Sequence, residues 1–260
     1  MAVEVCSKRH YWITGAGSGI GKALVEQLAG AGHRVYVSGR HIDKLESLAR
    51  NIGGDIIPLP CDVARDDEMK TLLQEYQVQQ LDTVIMCAGI CEYIDMPDLD
   101  VAKIRRVSET NYIGVVNTCI AALPLLRQAA SDGRKPHLIG ISSMSSYVGF
   151  PRAEAYGASK AAMANFLHSL HTDLGKAISV TVVYPGFVET PLTDNNDFPM
   201  PFMVSAEQAA RIILKKAVRY PLTISFPLRM HVLLSAMQFF SRLWYTVLSP
   251  RLSRSSRAQS

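Results

Sequence analysis

The chain has 260 residues, of which 48% are hydrophobic and 19% charged, and its formal net charge is +4. That size and balance exclude a disordered or repeat protein and suit one α/β domain with a sizeable core. The charge is too mild for a nucleic-acid binder and is unevenly placed: Arg229, Arg242, Arg251, Arg254 and Arg257 occupy residues 229–260 without an acid, which leaves residues 1–228 at −1.

Five cysteines, Cys6, Cys61, Cys87, Cys91 and Cys119, make an odd number without a CxxC spacing, and the opening MAVEVCSKRH lacks the apolar run of a secretory signal. A reducing cytoplasm is the expected compartment, and no metal site is expected.

Apolar runs of strand length recur at Tyr11 to Thr14, Arg34 to Ser38, Ile56 to Leu59, Thr83 to Cys87, His137 to Ser142, Val180 to Tyr184 and Thr223 to Phe226. They alternate with helical patterns, which predicts a Rossmann-type doubly wound sheet of about seven parallel strands with helices on both faces. No Pro/Gly/Ser-rich linker interrupts residues 1–228, read as a dinucleotide-binding and catalytic domain, and residues 229–260 form a basic amphipathic helix and tail.

The first strand runs into TGAGSGIG, Thr14 to Gly21, and then into a helix with an inner stripe of Ile20, Ala23, Leu24, Leu28 and Ala31. Backbone N–H groups at such a turn meet a pyrophosphate, and side chains at Gly15, Gly19 or Gly21 would obstruct it. About 20 residues beyond the first glycine, a ribose with a free 2′-hydroxyl usually meets an acid. Here the window holds Arg40, read as a cation in the first turn of the next helix. It either grips a 2′-phosphate, which favours NADP(H) while admitting NAD(H), or is a solvated surface residue.

YGASK, 156–160, starts a helix whose stripe continues through Met163, Leu167, Leu170 and Leu174. The spacing puts Tyr156 and Lys160 on the inward face, where an ammonium beside a phenol lowers the phenol's pKa. For the pair alone, a lysine snorkelling from a helix end is the alternative. Further on, Phe187 to Val204 carries Phe187, Phe198, Phe202, Met200 and Met203, either as an apolar lid or as a loop packed on the body. In the tail, Leu233, Met237, Phe240, Trp244 and Leu248 form one predicted stripe, set for a membrane surface or for packing on the domain or another subunit.

TGAGSGIG, CDV at 61–63, an NxxG at 111–114, a serine 13 residues before YGASK, and PGFVETP at 185–191 occur together in one order. In these motifs the chain resembles the classical short-chain dehydrogenases/reductases over roughly residues 8–228. The resemblance implies Tyr156 as general acid/base, Lys160 as the partner that lowers its pKa and holds the nicotinamide ribose, Ser143 on the substrate oxygen, and Asn111 fixing a water that links Lys160 to solvent. It implies a cofactor cradle of Gly15, Ser18, Gly19, Ile20 and Gly21, with Asp62 and Val63 at the adenine, Ala88 and Gly89 in close backbone approach, and Pro185, Gly186, Val188 and Thr190 at the nicotinamide. One departure is MCAG, Met86 to Gly89, where the family commonly has NNAG, which removes two side-chain amides that hold this loop.

The expected activity is hydride transfer between NADP(H) and an apolar carbonyl or alcohol, by a homodimer or homotetramer. The alternative is a dinucleotide-sensing or membrane-associated binding protein with little turnover.

Overall fold

In the computed structural model, which describes residues 8–97, 99–194, 196 and 198–252, the seven apolar runs become β1 (His10–Thr14), β2 (Arg34–Gly39), β3 (Ile56–Pro60), β4 (Thr83–Met86), β5 (His137–Ile141), β6 (Ser179–Pro185) and β7 (Thr223–Phe226). They make one parallel sheet in the order β3-β2-β1-β4-β5-β6-β7. Strands β4 and β5 each stop one residue earlier than the apolar pattern suggested, so Cys87 and Ser142 open the loops after them.

The helices are α1 (Gly19–Gly30), α2 (Ile42–Ile52), α3 (Asp66–Glu75), α4 (Val101–Ser108), α5 (Gly114–Ser131), α6 (Glu154–Leu174), α7 (Ala206–Ala217) and α8 (Leu228–Phe239). Successive strand residues point to opposite faces, so each strand feeds two cores. Trp12, Leu59, Met86, Leu138, Leu126 and Leu167 share one cluster, while Ile13, Leu24, Val37, Ile85, Ile139 and Ile213 share the other. Both faces are covered, which is why the strands read as continuous apolar runs.

Between α4 and α5 the backbone widens into a π-helical turn, Glu109–Ile113, making one helical run over Val101–Ser131. By length and composition that run is apolar enough to cross a bilayer, and Val115, Cys119, Ala122 and Leu126 bury one side of it in the core. From β1 the chain crosses outward to β2 and β3, then returns to lay β4 on the other side of β1. The chain therefore leaves β1 and β4 in opposite directions along the sheet, a switch point with a crevice at the carboxyl ends of these strands.

The predicted tail stripe does not form on one continuous helix. Helix α8 ends at Phe240, whose φ of −94° and ψ of 48° leave the helical region, and a further helical stretch follows over 241–252. Trp244 is 6% exposed, and Met237 and Leu248 pack against the core, whereas Leu233 and Phe240 face solvent. Trp244 is claimed by the body of the protein: its indole packs edge-on against Phe150 at 5.1 Å, and its Nε1–H donates to the Gly149 carbonyl at 2.9 Å.

Candidate active site

The glycine-rich turn leaves β1 at Thr14 and enters α1 at Gly19, with φ of +65° at Gly15 and +50° at Gly19. A Cβ on Gly15 would stand 2.6 Å from Ala88 Cα, and one on Gly21 would stand 2.3 Å from the Gly15 carbonyl oxygen. A Cβ on Gly19 would meet Thr190 Cγ2 at 2.9 Å. The expected obstruction of a ligand is thus not the first reason for these glycines: the protein's own backbone and Thr190 already exclude a side chain. Ser18 precedes α1 in extended conformation without capping it, and the first turn holds no acid. The Ser18 side chain accepts from none of the N–H groups of that turn, which present the positive end of the helix.

This turn floors a groove with two lobes, cavities of about 270 and 360 Å³ that share Gly15, Ser18 and Gly89. The first lobe is lined by Gly39, Arg40, His41, Lys44, Asp62 and Val63. Arg40 lies outside α2, which begins at Ile42 after His41, so the first-turn cation is Lys44 and not Arg40. The pair forms a cationic rim four residues apart, and only Arg40 was singled out by the sequence reading. Lys44 was legible from that spacing once the helix start was known. Asp62 accepts the Ala64 N–H at 3.0 Å in a tight turn, and Val63 packs against Gly114, where a Cβ would come within 2.6 Å of Val63 Cγ2. That contact accounts for the glycine of the NxxG motif.

Ser143, Tyr156, Lys160, Pro185, Val188 and Thr190 line the second lobe, together with Ile20, Gly186, Cys87 and Leu192. Lys160 is 4% exposed, and its Nζ donates to the Ile141 carbonyl at 2.8 Å and lies 5.8 Å from the Tyr156 ring centroid. Burial pulls its ammonium down from 10.5 to about 8. The Tyr156 phenol moves opposite to the expectation: burial pushes its pKa well above the usual value, the neighbouring Cys91 adds to the rise, and a hydrogen bond with Ser143 works the other way. The cost of desolvating a phenolate at this position exceeds the help of the Ser143 hydrogen bond. Ser143 Oγ also accepts the Ser145 N–H at 3.1 Å, which fixes its rotamer.

Asn111 sits in the π-helical turn, 0% exposed. Its Oδ1 accepts from Ile90 N at 2.8 Å, and its Nδ2 donates to the Ile90 carbonyl at 2.9 Å and to Ser159 Oγ at 3.0 Å. The side chain therefore ties the loop after β4 to α6. That loop lacks the two amides expected of it, yet it is held by Asn111 at Ile90 and by Thr14 Oγ1, which accepts from Ala88 N at 3.3 Å. A Cβ on Gly89 would reach Lys160 Nζ at 3.1 Å and Asn111 Oδ1 at 3.2 Å, so a side chain here would crowd both groups. Burial pushes the Cys87 and Cys91 thiols up to about 11, which makes both poor nucleophiles. Among the described residues, no group of three or more His, Cys, Asp or Glu is placed to hold a metal ion.

On the outer side of the second lobe, Val188–Glu189 pairs in parallel with Val204–Ser205, a two-stranded ladder the sequence pattern did not reveal. It pins both ends of the intervening segment. Aromatic contacts of 5.9 Å between Phe187 and Phe198 and 6.4 Å between Phe198 and Tyr93 join that segment to the loop after β4.

Residues 9–199 match the family described as short chain dehydrogenase. An oxidoreductase of Myxococcus xanthus is 34% identical over 232 residues, covering 87% of this chain and 90% of its own. The 11-beta-hydroxysteroid dehydrogenase 1A of Arabidopsis thaliana is 32% identical over 193 residues, 72% of this chain and 54% of that protein, so the chain spans about half the length of this plant relative. The 3-ketoacyl-(acyl-carrier-protein) reductase of Brucella melitensis, solved with NADH, superposes with a TM-score of 0.76 over 84% of this chain and 96% of its own; at 20% identity that likeness is one of fold. With the sheet order, the glycine turn and the Tyr156/Lys160 pair all on one groove, the match over most of the chain makes this protein a member of the short-chain dehydrogenase/reductase family and an oxidoreductase.

Proposed function

We propose that the protein reduces apolar carbonyl compounds to alcohols with NADPH, using Tyr156 as the general acid. The observation that carries this reading is the convergence of Ser143, Tyr156 and Lys160 on one lobe of a groove whose other lobe ends in Arg40 and Lys44. The residues present suit a nicotinamide dinucleotide: Gly15 and Gly89 leave bare backbone lining both lobes, the start of α1 presents its positive end there, and the cations Arg40 and Lys44 line the first lobe. Arg40 and Lys44 would hold a 2′-phosphate, Ser18 to Gly21 the pyrophosphate, Asp62 and Val63 the adenine, and Pro185 to Thr190 with Lys160 the nicotinamide riboside.

When bound, the reduced nicotinamide supplies a hydride to the carbonyl carbon. Tyr156, kept neutral by burial, carries the proton that the carbonyl oxygen must gain, so phenol O–H breaks as alcohol O–H forms. Ser143 donates to the same oxygen and orients it. Lys160, charged below about pH 8, stabilises the phenolate left behind until solvent restores its proton. An apolar substrate is supported by the apolar side chains that line the second lobe, Ile20, Ile141, Val188 and Leu192.

The test is NADPH oxidation, followed by absorbance, against a panel of aldehydes, ketones and long-chain 3-keto compounds. Turnover by the wild type and none by Tyr156→Phe, with NADPH binding retained in both, is the expected result. Tight NADPH binding without turnover across the panel would replace this reading with that of a dinucleotide sensor.

A further inference from the structure

Helix α8 is apolar on two sides, and the protein covers only one of them. Met230, Leu234 and Met237, four and three residues apart, face the core. Leu228, Val232 and Phe239, on the opposite stripe, are 70%, 59% and 83% exposed. Phe240 joins them through an edge-to-face contact with Phe239 at 5.0 Å, and Leu243 and Val247 continue the exposed apolar side chains beyond the break. Scattered surface apolar residues are ordinary, but a concentration of six within twenty residues marks a surface that meets something.

The charge around this face selects the partner. From Gln208 to Ser260 the sequence contains no Asp or Glu and nine Lys or Arg. Arg229 and Arg242 lie exposed on the same stretch as the apolar stripe, and Arg251, Arg254 and Arg257 follow it in sequence. A second copy docking by this face around a two-fold axis would bring cation to cation without a carboxylate to answer it.

We infer that this face docks on an anionic lipid bilayer, with the Leu228, Val232, Phe239 and Phe240 side chains at the acyl boundary and the arginines among the headgroups. The face is continuous with the segment that bounds the groove. The Arg229 guanidinium lies 6.0 Å from the Phe202 ring, and Phe202 and Met203 are 48% and 45% exposed. Docking sets the outer wall of the groove beside the membrane, so the substrate class is an apolar carbonyl compound dissolved in the bilayer. That last clause rests on the proposed reductase activity.

The full-length protein is mixed with vesicles of phosphatidylcholine, with and without phosphatidylglycerol, and sedimented. Binding to the anionic vesicles should be about tenfold tighter or more, with the difference shrinking as salt is added. Val232→Ser combined with Phe239→Ser should weaken that binding about tenfold or more and leave NADPH oxidation on a soluble carbonyl unchanged. Arg242→Gln, a surface change that spares the core, should weaken binding to anionic vesicles alone. Absence of co-sedimentation, equal binding to both vesicle types, or full binding by all the variants overturns the inference. So does a wild type that ignores vesicles and forms a dimer dissociated by the double change, because the face is then a subunit contact. Vesicle binding is read without turnover, so failure of the carbonyl assay leaves this result standing.

Discussion

Lys160 and Tyr156 share one face of α6, with Nζ 5.8 Å from the phenol ring, and burial draws both toward their neutral forms. The consequence is a pH dependence of defined sign. Between about pH 8 and 10.5 the unfolded chain keeps a proton at Lys160 that the folded chain has released. The cost of this lysine to folding is therefore complete below pH 8 and fades as pH rises through that window. A displacement from 10.5 to about 8 amounts to roughly 3 kcal/mol. Tyr156 and Cys87, both raised, act in the opposite sense at high pH, so the informative quantity is the stability of Lys160→Met minus that of the wild type. That difference should fall by roughly 3 kcal/mol in denaturant titrations run from neutral pH to about 10.5. A difference independent of pH would mean that Lys160 stays charged throughout.

The Trp244 indole and the Gly149 carbonyl join the C-terminal segment to the loop between β5 and α6, which carries Ser143. Trp244→Phe keeps a ring against Phe150 but removes the donor at 2.9 Å, leaving a carbonyl without its partner. A stability loss of about 1 to 3 kcal/mol is expected in thermal or denaturant unfolding. Tyr245→Phe, which deletes the acceptor for the Gly149 N–H at a more exposed position, should cost about 0.5 to 1.5 kcal/mol. Equal stability of Trp244→Phe and the wild type would show that this anchor contributes nothing.

Arg40→Ala and Lys44→Ala should each raise the Kd for NADPH while changing that for NADH little. One charge-assisted contact is worth about 1.5 to 3 kcal/mol, or about one to two decades of affinity. Isothermal titration with the two cofactors separates the outcomes: equal losses for both would place the cations outside the 2′-phosphate site.

Gly15→Ala and Gly17→Ala make a matched pair within one turn. At Gly15 the new methyl meets Ala88 Cα at 2.6 Å on a backbone with φ of +65°, whereas at Gly17 it meets nothing within 4 Å. The first change should cost about 2 to 5 kcal/mol and lose cofactor binding, and the second should leave the unfolding midpoint nearly unchanged. Comparable behaviour of the two variants would mean that the loops after β1 and β4 are not in close contact.

The seven strands, the sheet class and the sequence positions that converge on the groove were legible without coordinates, because a strand buried on both faces must be apolar along its length and a glycine turn between strand and helix is a local feature. The same holds for the inward face shared by Tyr156 and Lys160, set by helical spacing alone. Tertiary packing decided the rest. The direction of the Tyr156 shift depends on how much water the assembled cleft excludes, a quantity no spacing encodes. Lys44 entered the groove only when α2 was seen to begin after His41, and Gly15 and Gly19 of the turn proved to be demanded by Ala88 and Thr190, residues distant in sequence. In the tail, apolar periodicity predicted one stripe, but Phe240 breaks the helix and the Gly149 loop takes Trp244 inward, so that stripe is divided between core and solvent. Periodicity tells which residues avoid water, and only the arrangement of the other elements determines which of them find cover.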